Sequence, residues 1–386
     1  MRVLAVTDSD SYLKWAVALL AAAPRDWAVR HVVLDNVIAP SDAQIEAACS
    51  GARRGPVERV GGLRLAARVR RLAPDVLLVA CTGPALEAVR EMLHRGGVLT
   101  KNRPVLVTGL PGISYPANDL AVRHRRGFDL MVLHSRRERA AYAEVVARLG
   151  GPALGLATLP YLAAVEPAPA GGRDVVFAAQ SLVPPGRGER EAVLVALAGL
   201  PPGLDPVVKV RALTGERQAH NEELPYAELW AGLERPGLRS VEFRAGSMAA
   251  ALHRAAGFVT VSSTAALEAL AAGVPTLVLD EFGVSADLIN EVFTGSGLLG
   301  GLDRLRAGDF ATPQPEWLAD NYFHPAAEND WAVRIGALVA RRRAGSLPAY
   351  AEDPRGSRWQ RARRQLRVLP PGWVWRGLER VTSGSG

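Results

Sequence analysis

Cysteine is nearly absent from this 386-residue chain. The two examples, Cys49 and Cys81, show no metal-ligand spacing and no accompanying histidine cluster. That excludes a disulfide scaffold or a thiolate metal site and predicts a reducing compartment. No segment reaches the roughly 18 uninterrupted apolar residues of a membrane span. The opening MRVLAVTDSDSYLKW places a strand-like run at the terminus and lacks the long apolar core of a secretory signal. The expectation is a cytoplasmic protein, soluble or peripheral at the inner face of the plasma membrane. Lysine is scarce as well: Lys14, Lys101 and Lys209 are the three examples. Nearly all positive charge is arginine, which with the many Ala, Gly and Pro points to a bacterial, GC-rich coding background. A lysine that survives such drift hints at a need for a compact ammonium, which guanidinium does not mimic.

What remains is globular. Hydrophobic residues make up 48% and charged residues 22%, and the length suits two α/β domains of about 150 to 200 residues. The net charge of +7 is concentrated near the C-terminus, in Arg355, Arg358, Arg361, Arg363, Arg364, Arg367, Arg376 and Arg380. Interleaved Trp359, Trp373 and Trp375, with Leu366, Val368 and Leu369, make an anionic membrane surface a candidate partner for residues 355–386. A solvated or domain-packing tail is the other reading, and both are preferred to nucleic acid.

Strands and helices alternate along the first half. Strands are expected at 2–7, 28–34, 75–80, 104–108 and 129–133, and helices at 11–22, 41–49, 59–73, 84–95, 116–126 and 136–149. Runs such as VLLVA and LMVLH are apolar on both faces, as a doubly wound parallel sheet requires. PYLAAVEPAPAGGRD then sustains neither helix nor strand and reads as a linker. A second α/β pattern follows, with strands at DVVFAAQS, 206–210, 239–243, 257–261 and 275–279. Its helices are expected at 187–199, 225–234, 247–255, 264–272 and 284–294. The expected organisation is an N-terminal domain over 1–160, a linker over 161–173, a second domain over 174–325, and C-terminal helices with a basic tail over 326–386. Two Rossmann-like α/β domains would face a cleft, with ligands at the carboxyl ends of the strands.

GFVTVSSTAALEALAAGVPTLVLDEFG, residues 257–283, carries the most chemistry. Ser262, Ser263 and Thr264 stand where a strand ends and a helix opens, so hydroxyls and first-turn amides can both meet an oxyanion. An ordinary N-cap is the plain alternative, with Glu268 supporting the first turn. This segment resembles the donor-binding domain of GT-B glycosyltransferases, where strand, Ser- or Gly-rich turn, helix and GVP hold the donor's phosphates. The consecutive serines are similar to the paired-serine motif of bacterial sialyltransferases, polysialyltransferases and capsule enzymes that use CMP-linked nonulosonic acids. The resemblance implies donor phosphate contacts for Ser262 and Ser263, with Thr264 adjacent. In those families a nearby strand ends in Lys-x-His-Pro; here it reads Lys209-Val210-Arg211-Ala212. The missing histidine leaves Lys209 and Arg211 as electrostatic partners of the donor, with His220 in the following loop. Gln180 and Ser181, after the first strand of the second domain, are donor-side candidates or simply part of a stiff turn through Pro184, Pro185 and Gly186.

In the first domain, Asp8 and Asp10 follow strand one. An inverting transfer needs a base for the acceptor hydroxyl, and Asp10 is preferred over Asp8, although both residue types also cap helices. VTGLPGISYPANDLAVRHRRGFDLMVLHS, residues 107–135, resembles the acceptor segment of the same transferases. It offers Gly109, Pro111 and Gly112 for close backbone approach. Arg123, His124, Arg125 and Arg126 would serve an acidic acceptor, or form a solvated face, and His134 is a second choice of base. His324, in WLADNYFHP, reads as packing. Asp8 and Asp10 have DxD spacing but not the usual metal position, so no metal and no cofactor is expected. The resemblance as a whole implies an inverting glycosyltransferase that moves a nonulosonic acid such as sialic acid, Kdn or Kdo from CMP to a capsule or cell-wall glycan. Transfer from UDP- or GDP-hexose, with Glu281 on the ribose, is one rival. Sugar-nucleotide 2-epimerisation, whose paired acids and histidines are not evident, and a non-catalytic binding or scaffold protein are the others.

Overall fold

A computed structural model describes residues 1–50, 55–210, 224–233 and 237–350. Two compact units divide the chain: Met1–Tyr161 with the segment from His324 onward, and Leu162–Phe323.

The first unit is built on a seven-stranded sheet in the order β3-β2-β1-β4-β5-β6-β7, with every strand pair parallel. Its strands are β1 (Arg2–Thr7), β2 (Ala28–Leu34), β3 (Val57–Val60), β4 (Val76–Ala80), β5 (Val105–Gly109), β6 (Leu130–Leu133) and β7 (Ala153–Leu156). The central strands β4, β5 and β6 are buried at every residue, because helices cover both faces of a parallel sheet. These helices are α1 (Asp10–Ala21), α2 (Asp42–Cys49), α3 (Gly62–Leu72), α4 (Gly83–Arg95), α5 (Asp119–His124) and α6 (Arg136–Leu149). Residues 59–73 are therefore not one helix. Val57–Val60 pairs with β2 as an edge strand, and Gly61 is the N-cap at which α3 starts. Strand β7 is likewise not evident in the sequence: its four residues are buried only at the carboxyl half and include Gly155. The helix expected over 116–126 is shorter, since Asn118 caps it by accepting from Ala121 N at 2.7 Å and Tyr115–Pro116 precedes the cap.

The second unit carries a six-stranded sheet in the order β10-β9-β8-β11-β12-β13, again all parallel. The strands are β8 (Asp174–Ala178), β9 (Asp205–Lys209), β10 (Glu242–Arg244), β11 (Ala255–Thr260), β12 (Thr276–Leu279) and β13 (Leu299–Gly300). Helices α7 (Arg187–Ala198), α8 (Tyr226–Ala231), α9 (Met248–Leu252), α10 (Ala265–Ala271), α11 (Leu302–Ala307) and α12 (Pro315–Asp320) accompany them. The helix expected over 284–294 does not form. Gly283 and Ile289 both take positive φ, at 96° and 58°. Asn290 closes the loop between them by accepting from Ser285 N at 3.0 Å and donating to Gly283 O at 2.9 Å. A side chain that bonds the backbone so completely competes with the helix ladder, and only the 3-10 turn Glu291–Phe293 remains.

After the second unit the chain returns to the first as α13 (Trp331–Arg343). Trp331, Ile335 and Val339 complete the core beneath β1, β4, β5 and β6, with Trp331 edge-on to Trp27 at 5.7 Å. The amino ends of these strands are pinned by charge. Arg103 grips Asp129 with two bonds of 2.7 and 2.8 Å, and Arg342 of α13 reaches Arg103 O at 2.9 Å and Asp75 at 3.1 Å. No helix among the described residues is long and apolar enough to cross a membrane.

Ala73, just past α3, sits in the left-handed region at φ 41°, which glycine occupies without the Cβ penalty. Ala73→Gly should stabilise the protein by about 1 kcal/mol, visible as a rise of about 2–4 °C in the unfolding midpoint by calorimetry.

Candidate functional site

In a doubly wound sheet the connections leave in opposite directions on either side of one strand pair, and the carboxyl ends of that pair stay uncovered. In the first unit the reversal falls between β1 and β4, and in the second between β8 and β11. A side-chain hydrogen bond spans each of these gaps.

At the first gap, Asp8 follows β1 and Thr82 follows β4. Asp8 Oδ2 accepts from Thr82 Oγ1 at 2.6 Å and from Thr82 N at 3.0 Å. The carboxyl is fully buried, and its other oxygen, Oδ1, lacks a well-formed hydrogen bond. Burial raises the Asp8 pKa, and the Thr82 hydroxyl and amide pull against that rise. Tyr12, Cys81 and Arg125 complete the surroundings. Burial pushes up the Tyr12 phenol, with Arg125 opposing it and Asp8 adding to it. Burial, and then the Asp8 charge, holds the Cys81 thiol well above its ordinary range. Arg125, 2% exposed, donates to Tyr12 OH at 3.1 Å, Gly109 O at 3.2 Å and Ala121 O at 3.0 Å.

Asp10, the preferred base on sequence grounds, is placed differently. It lies in the first turn of α1 and pairs with Lys14 at 2.8 Å, so the two aspartates turn to different partners despite their DxD spacing. Among the described residues no group of three or more His, Cys, Asp or Glu is arranged to hold a metal ion. His124 lies against Glu87, with Nδ1 2.7 Å from the carboxylate, and Arg123 pairs with Asp119 at 3.6 Å. Gly109 is needed for packing: a Cβ there would lie 2.4 Å from Trp15 and 2.9 Å from Val132 O. Pro111 and Gly112 are half-buried in the loop after β5.

His134 is not available as a base. Trp15 Nε1 donates to its Nε2 at 2.6 Å, which puts the ring proton on Nδ1, facing Ala157 O at 3.0 Å. Both nitrogens are occupied, the ring is fully buried, and burial lowers its pKa to about 4. His324 contacts Asn329 at 3.1 Å, in keeping with packing.

At the second gap Gln180 follows β8 and Ser262 follows β11. The Gln180 carboxamide meets Ser262 twice, with Oε1 accepting from Ser262 N at 3.0 Å and Nε2 donating to Ser262 Oγ at 3.1 Å. Thr260 Oγ1 donates to the same Oε1 at 3.3 Å and accepts from Ser263 N at 3.0 Å. Ser263 Oγ accepts from Ala265 N at 3.2 Å. The free amides expected at this helix start are thus largely consumed, and α10 has only seven residues. Thr264 makes no side-chain cap. What the turn offers instead is hydroxyls: Ser262 and Ser263 Oγ each accept from the protein, Ser262 Oγ has a long 3.5 Å contact to Gln180 Oε1 as its acceptor, and a hydroxyl can donate as well as accept.

Around this network, Arg190 fixes the loop after β8 by donating to Ser181 O at 2.6 Å, Pro184 O at 2.9 Å and Leu224 O at 2.7 Å. Its guanidinium carbon stands 5.0 Å from the centre of the Tyr226 ring. Neither Arg190 nor Thr82 was singled out from the sequence, because each acts through a partner remote along the chain. Lys209 is buried at the end of β9 and donates to Val210 O at 2.7 Å. Glu281 accepts from Leu302 N at 3.1 Å, which commits it to the start of α11. Arg211, His220 and the basic tail 355–386 lie outside the described residues.

A family model described as "Putative glycosyltransferase (DUF6716)" matches residues 3–338. No curated protein matches the chain in sequence. Among solved structures, UDP-GlcNAc 2-epimerase from Neisseria meningitidis, bound to UDP-GlcNAc, aligns with TM-score 0.52 and 10% identity, over 94% of this chain and 98% of that one. The enzyme from Methanocaldococcus jannaschii gives 0.51 and 11% over 87% and 99%. MnaA of S. aureus, in complex with UDP, gives 0.50 and 13% over 94% of each chain. At such identities the likeness establishes the fold alone, the GT-B type with two parallel-sheet α/β units.

The buried His134 makes a pH test. An unfolded chain exposes an imidazole with a pKa near 6.5, so between about 4 and 6.5 it binds a proton that the folded chain refuses. Stability should therefore fall as pH drops through this window, by about 3 kcal/mol from this group. Denaturant unfolding followed across pH should show a shallower dependence in His134→Asn, whose side chain does not titrate.

Proposed function

Because the chain belongs to the glycosyltransferase family whose model spans residues 3–338, we propose that its second unit binds the donor nucleotide and its first unit the acceptor. The observation that carries this division is the Gln180–Ser262–Ser263 network at the β8/β11 gap, which brings the hydroxyls of Ser262 and Ser263 together at the carboxyl ends of the strands. Such donors suit the oxygens of a nucleotide phosphate, whose charge strengthens each bond. Lys209, at the end of β9, adds positive charge on the same sheet, and Arg211 follows it in sequence. Transfer is inverting. The acceptor oxygen attacks the anomeric carbon, the bond from that carbon to the phosphate oxygen breaks, and Asp8 takes the acceptor's proton as the nucleotide leaves. Asp8 is placed ahead of Asp10 in this role because it stands at the β1/β4 gap with its Oδ2 fixed by Thr82, whereas Asp10 pairs with Lys14 in the first turn of α1; Oδ1 lacks a well-formed hydrogen bond in both. No metal is required, since fixed hydrogen-bond donors and basic side chains stabilise the leaving nucleotide.

The favoured donor is a CMP-linked nonulosonic acid, on the strength of the consecutive serines, and the acceptor a capsule or cell-surface glycan. The tail 355–386 would hold the enzyme at an anionic membrane face. A UDP-sugar donor is the second reading, prompted by the UDP and UDP-GlcNAc in two structures of the same fold. Glu281, whose Oε2 accepts from Leu302 N at the start of α11, is the candidate ribose partner in that reading.

A thermal-shift series with CMP, CDP, UDP, GDP and ADP tests the assignment. A nucleotide at 100 times its Kd stabilises the folded state by about 2.7 kcal/mol. The shift should come from CMP and be lost in Ser262→Ala/Ser263→Ala, whose two missing bonds weaken binding about 30- to 1000-fold. A response to UDP alone would replace the donor, and a response to none would remove the nucleotide from the second unit.

A further inference from the structure

Thr82 occupies the N-cap of α4, a 13-residue helix with Pro84 in its first turn, yet its side chain makes no capping bond. A threonine hydroxyl at that position ordinarily accepts from a first-turn amide, worth about 1 kcal/mol. Here the hydroxyl is turned the other way and donates to Asp8 Oδ2 at 2.6 Å, beside the backbone donor at 3.0 Å. The bonds join residues 74 apart in sequence, across the strand pair where the sheet reverses.

We infer that Thr82 is a positioning residue for sugar transfer: its hydroxyl and amide hold one oxygen of Asp8, keep the buried carboxyl ionised, and leave Oδ1 to receive the acceptor's proton. The inference rests on the assignment of Asp8 as base. Three features carry it. The two bonds to Thr82 both fall on Oδ2, so the carboxylate plane is fixed while Oδ1 is left without a well-formed bond. Full burial of Asp8 opposes its charge, and the hydroxyl and amide of Thr82, then Ser9, act against that rise and favour the carboxylate a base needs. And the hydroxyl forgoes helix capping, which a purely structural threonine at this position would supply.

Other charged and titratable groups face Asp8 as well. Tyr12 on α1 and Cys81 at the end of β4 interact with it electrostatically, and Arg125, beyond α5, acts on both. The Ser9 side chain also hydrogen-bonds Asp8, and Thr82→Val removes only the Thr82 hydroxyl from this set.

The experiment uses the full chain with 13C-labelled aspartate, Asp8 being identified as the carboxyl resonance missing from Asp8→Asn. Thr82→Val keeps the size and the amide but removes the hydroxyl, and should raise the Asp8 midpoint by about one unit or more. Thr82→Ser should restore it. Release of nucleotide from CMP-sialic acid and from UDP-GlcNAc is followed against pH in the same proteins. The acid limb of kcat/KM should move upward in Thr82→Val, with activity recovering at high pH, a rescue that a merely structural lesion would not give. An unchanged Asp8 midpoint in Thr82→Val overturns the role of Thr82. Turnover retained in Asp8→Asn instead removes Asp8 as the base, and the inference with it.

Discussion

The reversal of strand order within each sheet is the constraint on which the rest depends. Parallel strands joined by right-handed crossovers must wind first one way and then the other if helices are to cover both faces. At the point of reversal no connection passes over the carboxyl ends of the central pair. Polar backbone groups there need partners, and side chains from the two strands supply them. Asp8 meets Thr82 in one unit, and Gln180 meets Ser262 in the other. The two solutions differ in charge. A buried carboxylate pulls hydroxyl and amide donors inward, whereas a neutral carboxamide satisfies an amide and a hydroxyl together. One gap therefore holds a buried carboxyl and the other an uncharged network of amide and hydroxyls.

Much of the architecture was legible in the sequence because the central strands are largely apolar on both faces, over four to six residues. Runs such as Val76–Ala80 and Asp174–Ala178 have one physical interpretation once helices flank them. The edge strands were not legible. Val57–Val60 contains Glu58 and Arg59, and its pairing with β2 depends on a partner more than twenty residues away. The 283–290 loop deceived for a different reason: its helix-like spacing of Val284, Leu288 and Ile289 is overruled by the two backbone bonds of Asn290, which composition does not reveal.

The candidate site was legible in position and less so in role. Ser262, Ser263, Gln180 and the Asp8–Asp10 pair were all picked out as residues at strand ends. Sequence alone could not divide labour between Asp8 and Asp10, because what separates them is a lysine one helical turn along in one case and a threonine from another strand in the other. Nor could it show that the amides beside Ser262 were taken, since Thr260 and Gln180 take them through the fold. Gly109 reads as room for a ligand, yet the indole of Trp15 occupies that space.

The return of the chain after Phe323 has a consequence for how such a protein can diversify. The core under β1, β4, β5 and β6 is finished by Trp331, Ile335 and Val339 from the far end of the sequence, so the second unit is an insertion within the first rather than an appendage to it. A gene cut once between the units would leave the first without its last helix, and its sheet open on one face. Exchange of the second unit for a relative with another ligand preference therefore needs two crossovers in the DNA. Drift of individual residues at the strand ends is the easier evolutionary path to a new specificity.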